Sequence, residues 1–550
     1  MSEAELTSKR VRFGEENRTG LLAGVNILSN AVRTTLGPKG RTVIIQVPLK
    51  QPVVTKDGVT VAQEVMLDDP LENMGAQMVL EAARRTNSDA GDGTTTATVL
   101  TQSIVTEGLK YVTAGMNPMD LKRGIDKIVD EIVNNLDNQS QPCNTLEELE
   151  KVATLSANSD AAIGKNIADA LVKVGTNGAV SVDIHADRKD FVEIVKGCRF
   201  DRGYMSPYFS NNLEDMTIIH ENALILLYDK KITTLNPLIK LFEQVATTGF
   251  PLIIIAEDIE PDALNVLVQN HTSGAFKVAA VVAPGFADRR LPILEDIATL
   301  TGGNVISDEL NRGLEDVTVS DLGKAERIEI GNLFTTIIGG RGDSEKIKER
   351  IKLIKNHLVT ASNDHNANKL KERLSSMDGG VAIIKVGGSS KIEAMEKKDR
   401  YVDSLHATSA AREQGVVPGG GVALIKAVKD IQISNLELAN LDQEAGAKIV
   451  LSAIESPIRQ ITSNAGGAPD VVVNSVINSD SATYGYDAAT DSYGDMYELG
   501  IIDPVKVTRS ALLNAASVAG LLITSECSLT DIIPVHERLG RITNEKTVVL

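Results

Sequence analysis

Residues 90–100 read AGDGTTTATVL, with an acid between two glycines, then three threonines and an apolar run. Successive backbone N–H groups in a glycine-containing bend can converge into an anion-binding nest. The helix that the apolar run predicts would add its own free N–H groups and the positive end of its dipole. Thr94, Thr95 and Thr96 bring hydroxyls that can reach phosphate oxygens. Asp92 would repel a bare phosphate, so a cation must stand between them. Mg2+ suits that place, being a hard ion that takes oxygen ligands and shares them with phosphates. The stretch points to a magnesium–nucleotide phosphate cradle, although a threonine-capped helix start would look the same locally. It is not a Walker A loop, because G-x-x-x-x-G-K-[ST] does not occur in the chain.

Other segments could serve the same chemistry. TLGPKG (35–40) is a rigid turn whose backbone could approach a phosphate, and PGGGVAL (418–424) could let a ligand come close to the chain. Two more acids sit in turn-like settings, Asp57 in TKDGVT and Asp403 in YVDSLHAT. Hydrolysis of a phosphoanhydride needs metal-held phosphates and a positioned water. Asp57, Asp92 and Asp403 could divide those tasks, but spacing alone does not bring them together.

The elements that must position these residues are mostly helical over the first ~140 positions. NPMDLKRGIDKIVDEIVNNL places Leu121, Ile125, Ile128, Ile132 and Leu136 on one buried stripe. Pro118 sits just inside its start, where helices tolerate it. TVIIQV (42–47) reads as a strand. From 196 to 381, apolar runs (223–228, 251–258, 277–284, 379–388) alternate with helical patterns at 235–247 and 261–271. That alternation predicts an α/β domain, and helical periodicity resumes after 390. The simplest organisation is a mainly α protein with an α/β insertion.

Composition narrows the function classes. A chain of 550 residues holds about two to four domains. Its net charge of −18 leaves no basic surplus for a general nucleic-acid binder. Aromatics are 3% and Trp is absent, so the cores must be aliphatic and alanine-rich. Cys143, Cys198 and Cys527 are odd in number and widely spaced, which supports neither a disulfide framework nor a zinc site. No signal or transit pattern is evident at the start of the sequence, and no apolar run approaches the roughly 18 residues that a membrane span needs. The expectation is a cytoplasmic protein with no membrane contact.

These segments, taken together and in order, resemble the group I chaperonins, the GroEL-like family. The resemblance runs from about Val11 to Ile533 through TLGPKG (35–40), TKDGV (55–59), ENMGAQMV (72–79), AGDGTTTATVL (90–100) and GMNPMDLKRGID (115–126). It continues through FDRGYMSPYF (200–209), APGFADRR (283–290), DIATLTGG (296–303), LHAT (405–408), GGGVALI (419–425) and DPVKVTRSAL (503–512). The resemblance implies a three-domain subunit. An equatorial ATPase domain would comprise 1–138 and 414–550, an intermediate hinge domain 139–195 and 382–413, and an apical client-binding domain 196–381. It implies an ATP hydrolase that assists folding inside a homo-oligomeric chamber of one or two seven-membered rings. A passive holding ring with an uncoupled ATP cycle is the alternative.

Residue by residue, the resemblance implies that Leu36, Gly37 and Pro38 line the nucleotide site. Asp92 would hold Mg2+, with Gly93 and Thr94, Thr95 and Thr96 on the phosphates of ATP. Asp57 would lie near the γ-phosphate, and Asp403 would position the hydrolytic water. Gly420, Asp487, Ala488 and Asp503 would surround base and ribose. Thr35 and Lys56 would lend backbone oxygens to a monovalent cation, K+ by resemblance. Hinges would fall near Pro142 and Gly415, and near Gly197 and Gly379. Unfolded clients share only exposed apolar surface, so a general binder needs an exposed apolar patch. Tyr204, Tyr208, Phe209, Ile239, Phe242, Leu264 and Val268 occupy the family's groove positions. The same groove would receive a GroES-like co-chaperonin.

The chain also departs from the pattern. Gln269 stands where an aliphatic groove residue is usual. Lys391 replaces an acid that often pairs with Arg202 across subunits. Beside Arg459, Ala468 stands where an acid is typical and Asp470 where a small polar residue is, which predicts a weakened contact between rings. Asp487 replaces a common Asn. The C-terminal HERLGRITNEKTVVL lacks Gly–Met repeats. These features mark a divergent member, of phage or unusual bacterial origin. RGDS (341–344) is read as a polar turn before a helix, not as an adhesion tripeptide.

Overall fold

The stripe on residues 118–139 is deeply buried: Leu121, Ile125, Ile128, Ile132 and Leu136 are each 0% exposed. Asn117 caps this helix (Pro118–Gln139) by accepting from the Met119 N–H, and Pro118 occupies its first turn. A computed structural model describes residues 9–46, 52–157, 160–175, 179–185, 188–212, 216–286, 289–307, 312–359, 364–429 and 431–531. The C-terminal HERLGRITNEKTVVL lies outside the described residues, as does the side chain of Lys391.

The chain forms two units, one from Met1–Lys165 with Arg400–Leu550 and one from Asn166–Asp399. The insertion organisation read from periodicity is therefore present. The division falls inside the segments 139–195 and 382–413.

In the first unit, helices Gly14–Val32, Pro70–Ala90, Thr94–Thr113, Pro118–Gln139, Leu441–Ala453 and Val505–Thr524 share one aliphatic core. Small residues let their backbones approach. A Cβ on Gly124 would lie 2.0 Å from the Gln443 carbonyl oxygen, and one on Gly446 would lie 2.1 Å from that of Leu121. Such packing suits a chain poor in aromatics. Strand Lys9–Phe13 pairs antiparallel with Cys527–Asp531. Val416–Pro418 pairs with Ile502–Pro504, and Tyr484–Asp487 with Ser492–Asp495. The expectation about apolar runs needs correction. Val505–Thr524 is long and apolar enough to cross a membrane by composition, but 67% of its apolar window is buried inside the unit. Its hydropathy comes from serving as a core helix packed on three others.

The second unit holds a seven-stranded mixed sheet. Its order is Val278–Val282, Leu252–Ala256, Ile218–Tyr228, Gly323–Ile330, Thr335–Gly340 and Gly197–Phe200, with Val305–Ile306 beside Ile218–Tyr228. The parallel strand Leu252–Ala256 is buried throughout, as strands covered on both faces are. Helices Ile239–Thr248 and Pro261–Thr272 make successive crossovers between adjacent parallel strands. Right-handed crossovers put both on the same face. The first begins later than the predicted 235, because Pro237 forms a separate 3-10 turn, Asn236–Leu238. A smaller sheet orders Ala179–Ile184, Val381–Val386 and Phe191–Val195.

Candidate functional site

The helix Pro70–Ala90 stops at Gly91 (φ +72) and the next, Thr94–Thr113, starts after Gly93 (φ +88). Two left-handed glycines therefore bracket Asp92, a conformation costly for other residues. A Cβ on Gly93 would lie 2.7 Å from Val507 Cγ1, so the bend rests on the start of helix Val505–Thr524. The Gly93 N–H donates to Asp92 Oδ1. Helix Thr94–Thr113 has no side-chain cap, which leaves its first N–H groups for a ligand. Thr94 is buried at its mouth, with Thr95 and Thr96 half-buried.

Three other segments meet this bend. Thr35 Oγ1 lies 3.5 Å from Thr95 Oγ1. After Thr35 the TLGPKG turn closes through Gly37 (φ +85), whose carbonyl accepts from the Gly40 N–H at 3.0 Å. Leu36 and Gly37 are half-buried and Pro38 is exposed. In the TKDGV segment, Gly58 presses so close that a Cβ there would lie 2.2 Å from Thr95 Oγ1. Its neighbour Asp57 caps the short helix Gly58–Gln63, accepting from the Thr60 N–H at 2.8 Å and Thr60 Oγ1 at 2.6 Å. Lys56 is exposed. Third, Asp503 Oδ2 accepts from the Gly420 N–H at 3.1 Å, joining the PGGG turn to the Ile502–Pro504 strand.

The electrostatics of this cluster are one-sided. Burial raises the Asp92 carboxyl above the usual range, and the charge of Asp57 adds to that. Asp503 is pushed up to about 6, first by burial and then by the charge of Asp92. Both carboxyls therefore sit where the charged form is disfavoured, by burial first and by a neighbouring acid second. Among the described residues no three His, Cys, Asp or Glu side chains converge as a metal cage.

Asp487 and Ala488 lie on the flank. Asp487 accepts from the Ala489 N–H at 2.8 Å and from Thr490 Oγ1 at 2.6 Å. Ala488 belongs to an apolar cluster with Val422, Ile458 and Met496 that backs the PGGG turn. Asp403 is exposed on helix Lys391–Gln414. That helix packs on the bend, since a Cβ on Gly91 would lie 2.3 Å from His406 Cβ. Asp403 sits three residues before His406, on the same face. Near the expected hinge, Gly415 (φ +87) adjoins a backbone exchange in which Gln141 and Val416 each donate to the other, at 2.9 and 2.8 Å.

Some supporting residues were not anticipated. Asn464 Nδ2 donates to the Arg33 and Leu36 carbonyls, each at 2.9 Å, and so braces the TLGPKG turn. Val507 and His406 pack against the two glycines of the bend. They lay inside quoted motifs, whereas Asn464 carried no local signal.

In the second unit, Tyr208 (72%) and Ile239 (49%) are exposed. Tyr204, Phe242, Leu264 and Val268 are half-buried, and Gln269 is exposed. Phe209 departs from expectation. It is 0% exposed, turned inward with its ring edge-on to His271 at 5.6 Å. It anchors the Pro207–Phe209 turn in the core and is not a surface contact. The Arg202 guanidinium lies over the Phe286 ring, 4.8 Å from its centroid. In the first unit, Arg459 pairs within its own chain, with Asp470 at 2.6 Å and Glu455 at 2.8 Å.

Comparisons with known proteins agree with this architecture. Residues 28–531 match the TCP-1/cpn60 chaperonin family. The crystal structure of the chaperonin gp146 from the bacteriophage EL 2 (Pseudomonas aeruginosa), determined in the presence of ATP-BeFx, shares the fold. It superposes with a TM-score of 0.65 at 21% identity, covering 95% of this chain and 99% of that chain. A glycine-bracketed acid at the head of a threonine-led helix, an α/β unit inserted into a helical one, and a match along nearly the whole sequence lead to one assignment: the chain belongs to the TCP-1/cpn60 chaperonin family.

Proposed function

We propose that this chaperonin binds and hydrolyses ATP in the cluster around Asp92 and uses the cycle to fold clients in a chamber. One observation carries the nucleotide reading: Asp92 and Asp503 both stand above their ordinary range, each with another acid acting on it. Such a site gains from a ligand that brings a cation. The phage chaperonin gp146 was crystallised with ATP-BeFx, which supports the same ligand here. Bound Mg2+ would supply charge neutralisation of the phosphates and a Lewis acid.

The chain's own residues fill the remaining roles. Asp92 would hold the metal, while the N–H groups of Gly93 through Thr96 and their hydroxyls orient phosphate oxygens. Leu36, Gly37 and Pro38 would wall the site, and Asp487, Ala488, Gly420 and Asp503 would take base and ribose. Thr35 and Lys56 would lend oxygens to K+. Asp57 is held rigid by its cap bonds to the Gly58–Gln63 helix, so it can face the γ-phosphate without reorganising. Asp403 would accept a proton from the attacking water.

In the proposed three-part division, 1–138 with 414–550 carries the nucleotide, 139–195 with 382–413 transmits, and 196–381 binds clients. Exposed Tyr208 and Ile239 beside Phe242, Leu264 and Val268 supply the apolar surface. Seven-membered rings, one or two, with a GroES-like lid would enclose the client.

Two variants test this. Asp403→Ala is expected to keep nucleotide affinity and lose about 100-fold or more in ATP turnover, the worth of a positioned base. Asp92→Asn is expected to lose Mg-nucleotide affinity itself. Unchanged turnover in Asp403→Ala would overturn the catalytic assignment. Unchanged client refolding in that variant would favour a passive holding ring.

A further inference from the structure

The second unit contains two sheets joined by two chain crossings. One runs from strand Phe191–Val195 into Gly197–Phe200, and the other from helix Asp364–Asp378 into Val381–Val386. Glycines occupy both. A Cβ on Gly197 would lie 2.1 Å from the Ile337 carbonyl oxygen, and Gly380 has φ +65. The apolar contact between the sheets is small, with Ala179, Ile338, Val381 and Ile383 as its buried members.

A polar network lies beside it. Arg327, on strand Gly323–Ile330 of the large sheet, donates to Asp183 on strand Ala179–Ile184 of the small one. Its other terminal nitrogen pairs with Glu329 at 2.5 Å, and its Nε faces Glu221 at 3.7 Å. Lys385 of the small sheet reaches the second Asp183 oxygen at 3.1 Å. Ser181, also on the small sheet, donates to Glu329 at 3.0 Å. Two bonds therefore cross between the sheets, Arg327 to Asp183 and Ser181 to Glu329, within a network of three carboxylates, two cations and a hydroxyl. Burial would raise the Asp183 carboxyl, but the Arg327 and Lys385 charges outweigh it and hold it below the usual range. The side chains are partly shielded, at 17% exposure for Arg327 and 14% for Asp183. Salt screens such pairs less than surface pairs.

We propose that Arg327, Asp183, Glu329, Lys385 and Ser181 form a latch that holds the small sheet against the large one. Swinging the client-binding part about Gly197 and Gly379–Gly380 must break it. Directional bonds of this kind are lost within a few ångströms of movement, so the latch makes the swing two-state instead of gradual. Its purpose rests on the proposed chaperonin cycle; its existence does not, and it is testable without turnover.

The test uses the full chain with Cys527→Ser, carrying spin labels at Glu193→Cys in the small sheet and Glu243→Cys on helix Ile239–Thr248. Without nucleotide, the parent is expected to show one narrow distance distribution. Arg327→Gln leaves the carboxylates facing one another and is expected to add a second distance, raising its population at least tenfold. Asp183→Asn should move the same way by less, because the carboxamide oxygen can still accept from Arg327 and Ser181 still bonds Glu329 across the sheets. If both variants keep the parent's single distance, with and without nucleotide, the latch is refuted. Should Arg327→Gln lose its cooperative melt, Asp183→Asn decides alone by the same criterion.

Discussion

Asp503 titrates at about 6, pushed up by burial and then by Asp92. An unfolded aspartate loses its proton near 3.9. Between those values the fold holds a proton that the unfolded chain has lost. This group therefore stabilises the nucleotide-free fold as pH falls from about 6 to 4, and destabilises it as pH rises through that window. Ligand binding runs the other way. In the proposed site, ribose hydroxyls donate to the Asp503 carboxylate, so the ionised form binds. Affinity for Mg-ADP is expected to fall about tenfold per pH unit below 6, with Asp503→Asn weaker but flat. Calorimetric titrations from pH 7 to 5 check this, and a flat wild-type profile would remove Asp503 from the ribose site. The acid and threonines of the cradle were legible in the sequence because their geometry is local. Asn464 was not, because the Leu36 carbonyl that it braces is 428 residues away. Phe209 was misplaced because aromatic type and family position say nothing about which way a short turn faces.

Periodicity exposed the long elements and missed what ties them together. The stripe on Pro118–Gln139 and the strands Leu252–Ala256 and Val278–Val282 follow from apolar spacing alone. The joints between elements rest on polar residues with no period. Asp296, 5% exposed, takes Arg350 Nε at 2.7 Å and Arg373 Nε at 2.6 Å, fastening helices Ser344–Val359 and Asp364–Asp378 to Arg290–Thr301. Asp296→Asn leaves the partly buried Arg373 without a carboxylate and Arg350 with Glu295 alone, and is expected to cost about 3 kcal/mol. Denaturant melts would read it, and a loss under 1 kcal/mol would show that the helices dock without it. His220 gives a second joint, between strand Ile218–Tyr228 and His271 of helix Pro261–Thr272. Burial, then His271 and Lys277, lower it to about 4. Its neutral form stabilises the fold above pH 6.5, and that contribution is lost as pH falls toward 4. The second unit should lose up to about 3 kcal/mol over that range, and His220→Leu should lose less. Equal acid sensitivity in both would clear His220 of the effect. The RGDS turn is also structural: a Cβ on Gly342 would lie 2.0 Å from the Thr299 carbonyl oxygen, and Asp343 accepts from the Glu345 N–H.

At the scale of the whole molecule, the insertion was legible because helical periodicity stops and resumes around an α/β stretch. Assembly was not, because a contact between copies depends on a few surface side chains. Arg459 carries the argument furthest. Its charge is already satisfied by Asp470 at 2.6 Å and Glu455 at 2.8 Å within its own chain. The Asp470 hydrogen bond is the largest influence holding its guanidinium protonated. Ala468, at the start of the same Pro469–Asn478 helix, offers no acid to a second copy. A cation with two partners at home gains little from a third across an interface, since exposed pairs are worth only about 0–1 kcal/mol. In the proposed assembly this face would meet the second ring, so ring pairing should be weak. Light scattering with and without Mg-ATP is expected to show seven-subunit particles in at least one of the two conditions. Ala468→Glu with Asp470→Ser takes away one of the two partners of Arg459 and supplies the missing acid, and it should shift the mass toward fourteen subunits. Paired rings for the unsubstituted protein in both conditions would mean that the interface is built on other residues, and that the self-paired Arg459 is a bystander to it.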